Sequence, residues 1–192
     1  METKSQSHLI VDEQFLIEFK SKTEARWQNC QINHGIYGFQ FQRGTRWNSG
    51  LSDQGILDYE RSLGVQFPND FKRMLRAMNG TDISTLNVYG MCGEPHRNSV
   101  GVYSFPRDLS IVNERIKEVQ KDFSAIMSVL VEQGFELERN ASLVPIYGHR
   151  YVVCGSDFNQ SPVLSIVGTD AIVYGTSLRN YLQAEFLIDE AV

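Results

Sequence analysis

Hydrophobic positions along this chain change period several times, and the changes mark out its elements. Between Ser52 and Gly80 they recur at threes and fours in two short runs: Ile56, Tyr59 and Leu63, then Phe71, Met74, Leu75 and Met78. That spacing predicts two helices, each with one buried face. Ser52 offers the side-chain oxygen of an N-cap, Gly64 the conformational freedom of a helix stop, and Pro68 the fixed φ of a helix start. Asn79-Gly80 reads as a second stop, so every local signal agrees on helix, stop, helix, stop.

The same reading extends over the rest of the chain. Residues 9–30 predict an amphipathic helix with Leu9, Phe15, Leu16 and Phe19 on its apolar stripe, packed on the domain as a lid. Residues 31–47 are irregular, and the aromatics among them suit a short strand or an ordered loop. Residues 83–89 and 100–105 predict strands on either side of a glycine- and proline-bearing loop, 90–99. Residues 106–134 carry the longest helical pattern, from Leu109 through Val112, Ile116, Val119, Phe123, Ile126 and Leu130 to a stop at Gly134. Residues 143–146, 151–154, 163–167 and 171–174 then predict strands, and 177–187 a closing helix with Leu178, Tyr181, Leu182 and Phe186 inward. There is no internal repeat and no linker. The expectation is one α+β domain, with helices flanking a largely antiparallel sheet of about six strands.

Composition narrows the function classes. The chain has 192 residues, 42% hydrophobic and 21% charged, which suits one ordinary globular core. A formal net charge of −5 argues against a nucleic-acid-binding surface and permits a basic partner. No apolar run approaches the roughly 20 residues of a membrane span, and the N-terminus has acids where a secretory signal would be apolar. Three scattered cysteines fit a reducing compartment better than a disulfide framework, so a cytoplasmic protein is expected.

Glu60, Leu63-Gly64, Phe67-Pro68, Phe71, Leu75 and Asn79-Gly80 together resemble the signature of the SUKH superfamily, which contains a fungal cell-wall-synthesis regulator and many bacterial immunity proteins. Trp47 to Ser52 is similar to the family's entry into the helix pair, residues 143–146 and 161–166 to its late strands, and 170–186 to its closing strand and helix. The resemblance implies a SUKH-like core over 47–192 with residues 1–46 as an extension packed on it. It also implies a non-enzymatic protein that binds and blocks a cognate toxin, such as a nuclease or deaminase. The runner-up is a regulatory interaction scaffold without a toxin, and the third reading is a small metal-dependent enzyme. The family's toxin-binding surface has no fixed motif, so no site residue carries over.

Chemistry-bearing motifs are sparse. The chain lacks a phosphate loop, a dinucleotide fingerprint, a nucleophile elbow and an HExxH pair. Acid pairs such as Asp12-Glu13 and Asp189-Glu190 read as solvated surface. Each cysteine has a histidine within five residues (Cys30 and His34, Cys92 and His96, His149 and Cys154), so two converging pairs could hold zinc. The lack of a CxxC knuckle and the apolar setting of Cys154 favour a small buried residue instead. Trp47 suits a binding anchor or a core position, and its place before the Gly50 turn favours the core. No catalytic, cofactor or metal residue is assigned. Recognition is expected on loops beside the sheet, from Asp82, Tyr89, Glu94 and Asp157.

Overall fold

The computed structural model describes residues 10–88, 95–96, 101–155 and 161–187. Helix α1 (Glu13–Asn29) starts at Asp12, whose carboxylate accepts the Phe15 N–H at 2.8 Å. Two short strands follow, β1 (Gly38–Gln40) and β2 (Trp47–Ser49). The helix pair is α2 (Asp53–Leu63) and α3 (Asn69–Ala77). Ser52 caps α2 through the Gly55 N–H, and Gly64 ends it at a φ of 67°.

The second stop differs from the expectation. The chain leaves α3 at Ala77 and passes straight into strand β3 (Met78–Thr81), so Met78 and Asn79-Gly80 belong to a strand. Gly80 does hold a positive φ, 71°, but for a packing reason. A Cβ there would lie 2.6 Å from the Val102 carbonyl oxygen and 2.7 Å from that of Tyr103. Asn79 fixes the same segment from the other side: its Oδ1 accepts the Phe105 N–H at 3.0 Å and its Nδ2 donates to the Phe105 carbonyl at 2.6 Å.

Strands β4 (Leu86–Val88) and β5 (Pro95–His96) come next. The strand expected over 100–105 reduces to one bridge, Val102 with Tyr147, because the segment is wedged between two neighbours. Val102 O accepts from Thr81 N at 3.3 Å, and Tyr103 N donates to Ile146 O at 3.0 Å. The long helix expected over 106–134 is two, α4 (Leu109–Lys121) and α5 (Phe123–Glu132), parted at Asp122. Val112 packs into one core and Val119 into another, so the core changes within α4, and across the turn Ile126 and Leu130 continue in the core of Val119.

Strands β6 (Ser142–Tyr147), β7 (Arg150–Cys154), β8 (Val163–Val167) and β9 (Asp170–Gly175) form an antiparallel meander, closed by helix α6 (Leu178–Phe186). The fold is α+β. Its strands fall into sheets of four, three (β1-β4-β5) and two (β2-β3) among the described residues, rather than one sheet of about six.

Alternation along the four-stranded sheet separates the two cores. Val144, Ile146, Val152 and Val163 face the larger one, shared with α1, α2, α3, α6 and the first part of α4. Leu143, Tyr151, Val153, Leu164 and Ile166 face the smaller, shared with α4 and α5. Helix α1 is no lid. Its Phe19 and Trp27 pack with Trp47 and Phe186 at ring separations of 5.3–6.5 Å, and Trp47 donates its indole N–H to the buried Thr23 hydroxyl at 2.7 Å. Trp47 is a core residue, as its place in the sequence suggests.

The other residues that carry the family resemblance also do structural work. Glu60 accepts the Phe67 N–H at 2.6 Å and pairs with Lys72 at 2.8 Å, closing the link between the two helices. Nearby, the Asp70 carboxylate takes the Ser161 N–H at 3.1 Å and the Ser161 hydroxyl, tying α3 to the start of β8.

Candidate functional site

At one end of the meander two turns lie side by side, Gly148-His149 between β6 and β7 and Gly168-Thr169 between β8 and β9. Gly148 is required there: its φ is 53°, and a Cβ would meet the Phe39 ring at 3.1 Å. Helix α4 walls one side of this end and the β1–β4 ladder the other. Between them is a groove of about 770 Å³, lined by Tyr37, Phe39, Arg115, Glu118, Asp122, His149, Arg150, Val167, Tyr174 and Glu185 among others. A smaller groove of about 300 Å³ beside α1 shares Tyr37, Phe39, Tyr147, Tyr174 and Glu185 with it, so the two are continuous.

Among the described residues, both guanidinium groups in the large groove have partners. Arg150 pairs with Glu185 at 3.0 Å, donates to the Ser165 hydroxyl at 2.8 Å and stacks over the Tyr174 ring at 3.9 Å from its centroid. Arg115 pairs with Glu118 at 3.0 Å. Burial, with Arg150 and Arg115 adding to it, pushes the His149 imidazole down to about 4, so it is neutral at pH 7. Burial likewise pushes the Tyr151 phenol up to about 12. Asp122 is different. It stands at the N-cap of α5 yet accepts no backbone N–H, and its exposed carboxylate makes no hydrogen bond or ion pair among the described residues.

Part of the exposed apolar surface lies at the same place, while Ile10, Ile17, Leu57 and Val131 are exposed elsewhere. Tyr37 is 61% exposed, Val167 63% and Tyr174 36%, and all three line the groove. Ile172, also exposed, lies two residues before Tyr174 on the same face of β9. Aromatic faces, paired charges and one unpaired carboxylate are the materials of noncovalent recognition.

Of the residues expected to form a binding patch, Asp82 is described, while Tyr89, Glu94 and Asp157 lie outside the described residues. Asp82 is exposed, but its Oδ1 accepts the Arg46 N–H at 2.7 Å and its own N–H donates to Arg46 O at 3.0 Å. It closes the end of the β2–β3 ladder and lines neither groove. Among the cysteines, Cys154 is buried on β7, whereas Cys30 donates its thiol to the Phe41 and Trp27 carbonyls. His149 and Cys154 flank opposite ends of β7, and among the described residues no group of three His, Cys, Asp or Glu side chains is placed to hold a metal. Cys92 and the side chain of His96 lie outside what is described.

The groove residues Tyr37, Arg115, Asp122, Arg150 and Tyr174 are not among those the sequence singles out. The signal available was the outward half of β9, where Ile172 and Tyr174 alternate with the buried Ala171 and Gly175. Among the described residues no helix is long and apolar enough to cross a membrane. The chain matches no protein-family model and no curated protein.

Proposed function

We propose that this chain is a non-enzymatic protein-binding module, an immunity protein that acts in the cytoplasm by binding and neutralising a cognate toxin. The observation that supports the reading is that three exposed residues, Tyr37, Val167 and Tyr174, line one groove. Exposed aromatic and apolar side chains in one patch mark interaction surfaces, and tyrosine is enriched among the residues that dominate binding energy. The resemblance of the helix pair to SUKH proteins supports the toxin partner, and the −5 charge suits a basic one. The loop residues Asp82, Tyr89, Glu94 and Asp157 belong to this proposal as a second candidate face.

The test is a pull-down of the products of neighbouring genes, coupled to co-expression with any of them that stops growth. A stoichiometric complex with restored growth is the expected result. A stable partner that is not toxic would favour a regulatory scaffold. One observation favours a third reading, a small-molecule site: a volume of about 770 Å³ is within the range of ligand pockets. Retention of a stoichiometric small molecule through purification would move the assignment there.

A further inference from the structure

The chemistry of the large groove narrows what kind of polypeptide it receives. An anionic group would need free donors, and among the described residues both guanidinium groups that line the groove already have carboxylate partners. Arg150 is committed to Glu185, Ser165 and the Tyr174 face, and Arg115 to Glu118. The neutral imidazole of His149 adds no positive charge at pH 7. Against these stand the carboxylates of Glu118, Asp122 and Glu185, leaving Asp122 as the one lining charge without a counter-ion among the described residues. Glu118 lies in the last turn of α4 and Asp122 is the residue that ends it, and both line the groove. Tyr37 offers an exposed ring on the same groove, and aromatic faces attract cations.

We propose that the groove is a docking site for a basic segment of a partner protein, which lodges a lysine or arginine side chain against Asp122 and Glu118 with its apolar stem on the Tyr37–Val167 rim. The proposal rests on the protein-binding reading and adds the chemistry of the partner. Long cationic side chains suit such a place because their stems cover apolar surface while their heads reach a carboxylate.

The test pans a phage-displayed library of random twelve-residue peptides on the immobilised full chain. Recovered peptides are then measured by fluorescence polarisation against the parent, Asp122→Lys, Asp122→Glu and Tyr37→Ala. The expected result is enrichment of Lys and Arg, binding weakened about tenfold or more by Asp122→Lys and by Tyr37→Ala, and binding kept by Asp122→Glu. Circular dichroism confirms that each variant is folded. Acidic or uncharged peptides, equal binding to Asp122→Lys, or no enrichment at all would overturn the proposal. The toxin reading fails separately: basic peptides without growth rescue keep the groove and remove the toxin, while rescue with acidic peptides does the reverse.

Discussion

Arg150 and Glu185 meet at 3.0 Å where the two grooves join, each side chain only 14% exposed. A pair so placed costs desolvation when it forms, and its value shows when one partner is lost. Replacing Arg150 with Met leaves the Glu185 charge shielded from water and unpaired. The expected loss is about 2–3 kcal/mol in urea unfolding, less than for a fully buried pair because some solvent reaches it. The double variant Arg150→Met with Glu185→Leu is expected to recover most of that loss. Equal destabilisation of the single and double variants would show that packing, not charge, holds this seam.

Two glycines with similar φ separate backbone strain from close packing. Gly64 has a φ of 67° with nothing within 4 Å of an added Cβ, so Gly64→Val costs only the left-handed penalty, about 1–2 kcal/mol. Gly80 has a φ of 71° and faces the Val102 and Tyr103 carbonyls, so Gly80→Val pays that penalty and must also displace backbone. Its loss is expected to exceed that of Gly64→Val by about 2 kcal/mol or more in thermal or urea unfolding. Equal losses at the two sites would contradict the close approach.

His149 predicts a pH dependence of stability. Its folded value is about 4 against an ordinary 6.5, so the unfolded chain takes up a proton first as pH falls. The resulting stability is fully present above about 6.5 and is lost as pH drops through that window to about 4. Because the ring is only half buried, solvent screening limits the effect to on the order of 1 kcal/mol. His149→Gln should flatten this part of the stability–pH curve relative to the parent. An unchanged slope would assign the pH dependence to other groups.

What was legible in the sequence follows from how local each cause is. Ser52, Gly64 and Asp12 act within one turn of backbone, so their neighbours in sequence suffice to read them. The last four strands were legible because apolar residues alternate or run together between turns. Gly80 was legible in conformation but not in cause, since the carbonyls it makes room for come from residues 102 and 103. The break at Asp122 was hidden because the apolar spacing continues across it, with Val119 before and Ile126 and Leu130 after it packed into one core. The groove was the least legible feature. Tyr37, Asp122, Arg150 and Tyr174 come from four separate segments, and no spacing in the sequence brings them together.

Immunity through the groove is tested by growth rescue on co-expression with each toxic product of the neighbouring genes, using the parent and a Tyr37→Ala, Val167→Ser variant. Both positions are more than 60% exposed, so the variant should melt within a few degrees of the parent. The parent is expected to restore growth against one such toxin, and the equally folded variant to restore it at least about tenfold less well. A parent that protects against none of them contradicts the immunity function, and a variant that protects as well as the parent contradicts the groove as its binding surface.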